Sequence, residues 1–127
     1  MAEIRILVTG GRDYTDRRAV ARALRHLGGH YIHGARPADI VLVHGDATGA
    51  DRLAANEAER FGWRTEAHPA DWHAHGKAAG PIRNKHMVSL GANYLIAFPG
   101  GEGTKNCRRL ALNAHIPVID VPEGGQP

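Results

Sequence analysis

Short apolar runs alternate along the chain with segments of helical periodicity. The apolar runs predict five strands, at residues 4–8, 40–43, 65–67, 94–98 and 118–121. The run at 65–67 is the weakest of the five. The others are rich in β-branched residues and do not alternate with polar ones, which is typical of strands covered on both faces in a parallel sheet.

Four helical segments fill the gaps between these strands. The first has an apolar face that ends near Leu27, with Thr15 as its predicted cap and Gly28 as its predicted end. The second begins at Thr48, where Asp51 stands in the place of a capping-box glutamate, and Gly62 stops it.

The third and fourth helical segments are marked by prolines. The third is predicted to start at Pro81, a favoured first helical position, and to run to about Leu90. The fourth is predicted to start near Thr104, with apolar residues at helical spacing up to Ala114 before Pro117 blocks continuation.

This order of elements predicts βαβ units with right-handed crossovers. The predicted fold class is α/β, a Rossmann-like three-layer sandwich with a five-stranded parallel sheet. We expect one domain over residues 1–122 and a flexible C-terminal tail over residues 123–127, with loops at 29–39 and 68–80.

Composition narrows the cellular setting. The 127 residues include one cysteine, Cys107, so no internal disulfide can form, as expected in a reducing compartment. A strand follows Met1 almost directly, so we expect no signal peptide. No apolar run approaches the roughly 20 residues that cross a bilayer, so we expect a cytoplasmic protein without membrane contact.

The net charge of +3 permits an anionic partner. The arginines are scattered along the chain, however, and form no basic stripe of the kind that nucleic-acid modules show.

Glycines cluster in three of the four predicted strand-to-helix turns. In a parallel sheet these turns share one edge, and ligands of such folds bind beside it. Glycine lets the backbone approach a ligand, and the following helix aims its free amides and positive dipole end at the same place. The predicted ligand and phosphate contacts are Gly10, Gly11, Arg12, Gly45, Asp46, Gly49, Asp51, Gly100, Gly101, Gly103 and Thr104.

Neither standard nucleotide fingerprint is present. The absence of G-x-x-x-x-G-K-[ST] excludes a P-loop NTPase, and no G-x-G-x-x-G follows the first strand, which argues against a typical dinucleotide dehydrogenase.

The glycine-rich segments resemble a known superfamily. Residues 99–104, Pro-Gly-Gly-Glu-Gly-Thr, resemble the PGGxGT signature of the LOG ("lysine decarboxylase-like") phosphoribohydrolases, and residues 45–51 resemble a turn of the DNA-processing protein DprA. Together with residues 9–13 and 79–84, their order is most similar to the YspA-related branch of the SLOG superfamily. The resemblance implies a Rossmann-like fold and a nucleotide-derived ligand, which members either process or sense.

The resemblance also bears on catalysis. LOG enzymes release a free base from a nucleoside monophosphate, using an arginine on the helix before the signature and a glutamate three residues after its threonine. Here Arg83 matches the arginine and, with the adjacent Asn84, is a further predicted ligand and phosphate contact, whereas Cys107 occupies the glutamate position. This departure argues against LOG-type hydrolysis and leaves phosphate binding intact. The candidate catalytic residues are Arg83 and Glu102.

Several candidate residues also have a purely structural interpretation. Arg83 is predicted to contact phosphate, or else belongs to a solvated helix face. Asp51 either caps its helix or binds a ribose hydroxyl. Glu102 is an exposed loop residue, a general acid or a ribose ligand. Trp72 stacks on a base or covers a core edge.

For Cys107 and for the histidines at residues 68–75, we predict no ligand-binding role. Cys107 lies on an apolar stripe and is interpreted as a packing residue. No metal site is predicted, although His68, Asp71, His73 and His75 have suitable side chains.

Three functions remain open. The first is binding of a nucleotide or nucleotide-derived ligand, with a sensor as one form of it. The second is hydrolysis of an N-glycosidic bond in a nucleotide, and the third is single-strand nucleic-acid binding, which the few aromatic residues disfavour. No cofactor is predicted. We expect a homodimer, because the helices are rich in alanine and LOG-type relatives are dimeric.

Overall fold

Five strands form a single sheet in the computed structural model, which describes residues 3–30 and 34–123. They are β1 (Ile4–Thr9), β2 (Ile40–His44), β3 (Arg64–Ala67), β4 (Tyr94–Ala97) and β5 (Val118–Asp120). Their spatial order is β3-β2-β1-β4-β5, and every neighbouring pair is parallel. The predicted α/β class with a five-stranded parallel sheet is confirmed.

Helices cover both faces of this sheet. They are α1 (Arg17–His30), α2 (Ala50–Arg60), a short α3 (Trp72–His75), α4 (Ala79–Ser89) and α5 (Glu102–Asn113), with 3-10 turns at Pro37–Asp39 and Gly76–Ala78. Helix α1 packs beside α2, and α4 packs beside α5. No helix among the described residues has both the length and the apolar character needed to cross a bilayer.

The strand β1 shows how the two faces are filled. Ile6 and Val8 belong to a buried cluster with Leu24 of α1 and Ala54 of α2. Leu7, between them, points the other way into a cluster with Met87 of α4 and Cys107 and Ala111 of α5. Because successive side chains of a strand face opposite ways, unbroken apolar sequence becomes two cores.

The predicted ends of α1 were wrong. The carboxylate of Asp16, not the hydroxyl of Thr15, accepts the hydrogen bond from the amide of Ala19 at 3.0 Å. The helix also continues through Gly28 to His30. Gly28 is not among the glycines with a positive φ, and a glycine ends a helix in this way only where it adopts the left-handed conformation itself.

The end of α2 follows the prediction. Gly62 has a φ of 82°, and the amide of Trp63 donates to the carbonyl of Ala58 at 2.9 Å. This is the six-to-one hydrogen bond of a Schellman motif, which needs a left-handed residue that glycine supplies without strain.

The segment predicted as the loop 68–80 is largely helical. It contains α3 and the 3-10 turn, which lead directly into α4, so that α4 begins at Ala79 rather than Pro81. The side chain of Asp71 caps α3 by accepting from the amide of Ala74 at 3.0 Å. Helix α5 likewise begins at Glu102, two residues before Thr104, and Ala114 is exposed at its end.

Two other predicted segments lie partly outside the described residues. Of the predicted loop 29–39, residues 31–33 are outside, and residues 37–39 form the 3-10 turn before β2. Of the predicted tail, residues 124–127 are outside.

Candidate ligand-binding cleft

A cleft of about 750 Å³ lies beside the carboxyl ends of β1 and β4. This volume falls within the roughly 300–1,000 Å³ typical of small-molecule sites. The turn after β1, the first residues of α4 and the first turn of α5 form its walls. Of the predicted ligand-binding and catalytic residues, those that line it are Gly10, Gly11, Arg12, Asp51, Arg83, Asn84, Gly101, Glu102, Gly103 and Thr104. Gly45, Asp46, Gly49 and Gly100 were predicted as contacts and do not line it.

The three glycine-rich turns are tied together through Gly11. Its amide donates to the carbonyl of Pro99 at 2.9 Å. Its carbonyl accepts from the amides of Tyr14 at 3.2 Å and Ala50 at 3.1 Å. The turns after β1, β2 and β4 therefore form one connected edge, as the parallel sheet predicts.

The glycines of these turns differ in what surrounds them. A side chain on Gly49 would overlap the backbone of Gly11 and Arg12, and its φ of 78° is left-handed. A side chain on Gly100 would overlap Thr104. By contrast, nothing lies within 4 Å of a Cβ added to Gly101 or Gly103. Close packing of the turns explains Gly49 and Gly100, and open space toward a ligand fits Gly101 and Gly103.

The first turn of α5 presents unpaired backbone amides to the cleft. Gly101 occupies the N-cap position and supplies no side-chain cap. The first amides of an α-helix have no partner within the helix and carry the positive end of its dipole. Thr104 is buried at 8 % exposure, whereas Glu102 is exposed and faces Lys105 across 3.5 Å.

Arg83 is not on a solvated helix face. Its Nη1 donates to the carbonyls of Gly45 at 2.6 Å and His68 at 3.4 Å, and its Nε donates to Oδ1 of Asn84 at 2.9 Å. A side chain on Gly45 would overlap this guanidinium. Arg83 therefore joins α4 to the turns after β2 and β3, and it still lines the cleft.

Asn84 extends this hydrogen-bond network to α5. It is 4 % exposed, and its Nδ2 donates to the carbonyl of Gly103 at 3.2 Å and to Oδ1 of Asn106 at 3.0 Å. Since its amide is bonded to both α4 and α5, Asn84 positions the first turn of α5.

Asp51 does not form the predicted capping box with Thr48. Gly49 is the N-cap residue of α2, and the Asp51 carboxylate accepts from the amides of Gly45 at 2.9 Å and Ala47 at 3.3 Å. The chain reverses within residues 45–49, which brings these amides closer than that of Thr48. Burial raises the pKa of Asp51 to about 6, although the two amides and Arg83 oppose the shift.

An aromatic and a cationic side chain meet at the mouth of the cleft. The guanidinium of Arg12 lies 4.7 Å from the ring centroid of Trp72, a cation–π distance. Trp72 is 46 % exposed, so it does not cover a core edge.

Two cations of the cleft were missed from the sequence. Lys77 lies on the 3-10 turn inside the predicted loop, where no periodicity could reveal its direction. Arg109 shares the cleft with Glu102 and Asn106, and the spacing of these three along α5 could have identified it.

Comparison with known proteins decides the family. A family model described as "YspA, cpYpsA-related SLOG family" (YAcAr) matches residues 4–75. The chain belongs to the YspA-related SLOG family. It is also 44% identical over 123 residues to the "Gene 61 protein" of Mycobacterium phage D29, covering 91% of this chain and 94% of that protein. No solved structure matches.

The family match and the cleft overlap only in part. The matched span of this SLOG domain includes the turns after β1 and β2 and reaches α3. Arg83 and the turn at residues 99–104 lie beyond residue 75. They join the site through the contacts described above.

Cys107 and His68 have structural partners in this SLOG domain. Cys107 is fully buried, and burial raises its pKa to about 11. His68 contacts Oε2 of Glu66 through Nε2 at 2.7 Å. Among the described residues, no group of three or more potential ligands could hold a metal ion.

Proposed function

We propose that this SLOG domain binds a nucleotide or nucleotide-derived ligand in the cleft, with a phosphate at the first turn of α5. The observation that carries the proposal is the convergence of four cations, Arg12, Lys77, Arg83 and Arg109, on a cleft that ends at uncapped helix amides. These cations outnumber the carboxylates of the lining, which are those of Asp13, Asp51 and Glu102. Both features favour an anion at the same place.

The open space at Gly101 and Gly103 supports this position for the phosphate. A phosphate oxygen needs to reach backbone amides to within about 3 Å. A side chain at either position would occupy space that is open in the structure, and the sequence has none there.

The mouth of the cleft suits the nucleoside. Trp72 offers an exposed aromatic face beside the cationic Arg12, and a base can stack on either side chain. The carboxylates of Asp13 and Asp51 also line the cleft and can accept hydrogen bonds from ribose hydroxyls or from amino groups of a base.

A thermal-shift screen with the 5′-monophosphates of adenosine, guanosine, cytidine and uridine tests the proposal. A ligand that binds only the folded state raises the midpoint of unfolding. We expect at least one nucleotide to do so, and Arg109→Gln to weaken its affinity about tenfold, since hydrogen bonds to charged groups contribute about 1.5–3 kcal/mol.

The matched control is Arg60→Gln. Arg60 is an exposed residue of α2 that pairs loosely with Glu57, at 3.8 Å, and does not line the cleft. Equal affinities of the Arg109 and Arg60 variants would contradict the proposed phosphate position. The absence of any midpoint shift with all four nucleotides would contradict nucleotide binding.

Base-releasing hydrolysis is a second candidate, favoured by Asp51. Its buried carboxyl lines the cleft with a pKa of about 6, close to neutral pH, which suits a general acid that protonates a leaving base. Chromatography of nucleotide incubated with the protein tests this candidate. Release of free base that is lost in Asp51→Asn supports hydrolysis, and intact nucleotide after prolonged incubation contradicts it.

Single-strand nucleic-acid binding has less support. Such binding uses successive stacking platforms, and within the described part of the chain one aromatic side chain, Trp72, lines the cleft.

A further inference from the structure

The cleft adjoins a second, smaller chamber. Its volume is about 210 Å³, and it lies above the turn after β2. Arg12, Ala47, Trp72 and Arg83 line both spaces, so the two are adjacent.

This side chamber is strongly cationic. Three guanidinium groups line it, those of Arg12, Arg52 and Arg83, against the single carboxylate of Asp46. The pair formed by Arg52 and Asp46 is long, at 3.8 Å, and both side chains are exposed. A pair of this kind is weak, and Arg52 can turn toward an anion at little cost.

The size of the side chamber limits what it can hold. Its volume of about 210 Å³ is below the roughly 300 Å³ at which sites for whole small molecules begin. A phosphoryl group fits the chamber, and a second nucleoside does not.

We propose that the ligand of this domain is a doubly phosphorylated nucleotide, with one phosphoryl group in the cleft and another in the side chamber beside Arg52. The inference rests on the proposed function, because the first phosphoryl group and the nucleoside occupy the cleft. It adds the class of ligand: two anionic groups, with Arg109 lining the cleft alone, Arg52 lining the side chamber alone, and Arg12 and Arg83 lining both.

Calorimetric titration of matched probes tests this inference. The probes are the 5′-monophosphates, 5′-diphosphates and 3′,5′-bisphosphates of adenosine, guanosine, cytidine and uridine. Wild type is compared with Arg52→Gln, which alters the side chamber alone, and Arg109→Gln, which alters the cleft alone. Arg60→Gln again serves as the control on α2.

We expect at least one doubly phosphorylated probe to bind wild type about tenfold more tightly than the monophosphate of the same nucleoside, which corresponds to about 1.4 kcal/mol. Arg52→Gln should abolish that preference and leave the affinity for the monophosphate unchanged. Arg109→Gln should weaken both probes by the same factor.

Two results overturn the inference and leave nucleotide binding intact: equal affinity of wild type for singly and doubly phosphorylated probes, or a preference that survives Arg52→Gln. If no probe binds, the proposed function fails and the inference fails with it.

Discussion

Asp51 experiences two opposing effects at the binding edge. The side chain is 6 % exposed, and removal from water disfavours its charged form. Two backbone amides of the turn after β2 donate to it and favour the same charged form. Burial has the larger effect, so the pKa rises to about 6, and the residue titrates near physiological pH.

The raised pKa of Asp51 makes stability depend on pH. The unfolded carboxyl titrates near 3.8 and the folded one near 6, so between these values the folded protein binds the extra proton. Stability from this residue is therefore complete below pH 4 and is lost as the pH rises through 6. A shift of about two units corresponds to about 3 kcal/mol at most.

Urea unfolding of wild type and Asp51→Asn at pH 4, 5, 6 and 7 measures this effect. Asparagine does not titrate, so subtraction removes the contributions of other groups. We expect the free energy of unfolding of wild type, relative to the variant, to fall by about 2–3 kcal/mol across the range. A constant difference would show that Asp51 titrates alike in both states.

Cys107 is predicted to be chemically inert in the folded protein. Its thiol is fully buried with a pKa of about 11, and the reactive species is the thiolate. At pH 8 we expect a thiol reagent to label native protein at least about a hundredfold more slowly than protein in urea, because labelling requires opening of the core. Cys107→Ala provides the unlabelled control. Rapid labelling of native protein would contradict the burial.

At the scale of elements, the first turn of α5 combines helix stability with ligand access. Gly103 lies inside the helix, where glycine is about 0.5–1 kcal/mol less favourable than alanine. Gly103 lines the cleft, and no atom lies within 4 Å of a Cβ added to it. Open space beside this backbone fits the proposed position of the phosphate.

Gly103→Ala should therefore separate stability from binding. We expect stability to stay unchanged or to rise by up to about 1 kcal/mol, and nucleotide affinity to fall because the methyl group covers the amides. The matched variant Gly49→Ala should lose stability, by about 1–3 kcal/mol or more, because its φ of 78° is left-handed and its Cβ meets Gly11. Thermal unfolding and calorimetric titration measure both properties. Full affinity in Gly103→Ala would contradict the proposed phosphate position.

Helix ends show what local sequence could and could not predict. The end of α2 at Gly62 was predictable, since a left-handed residue after an apolar stripe is a local requirement. The use of Asp51 was not, because its partners Gly45 and Ala47 are placed by the turn after β2 and not by helical spacing. The start of α4 was also missed, since α3, the 3-10 turn and α4 follow one another directly and no change in the sequence pattern marks where α4 begins.

At the scale of the molecule, unbroken apolar strands alternating with amphipathic helices determine a parallel sheet, so its class was predictable. The convergence of the glycine-rich turns followed from it. The different surroundings of the glycines could not be predicted. An added Cβ would meet backbone at Gly49 and open space at Gly101, and this difference depends on tertiary distances. For the same reason, the sequence could not show that Arg83 joins the turns after β2 and β3 through the carbonyls of Gly45 and His68.

The homodimer remains a prediction at this scale. Exposed apolar side chains on α4 and α5, those of Ile82 and Leu112, are compatible with a symmetric contact. Light scattering at roughly tens of micromolar, a concentration suited to modest interfaces, should give twice the 13.7 kDa mass of the chain. A mass equal to one chain at this concentration would contradict the prediction.

The position of β1 in the middle of the sheet has a consequence for synthesis. This strand is the first of the five along the chain, yet its partners begin at Ile40 on one side and Tyr94 on the other. While the ribosome is still making α4, β1 has one open edge, and unpaired strand edges are templates for aggregation. That edge stays open until Tyr94–Ala97 has emerged, so slow translation between β2 and β4 would prolong its exposure.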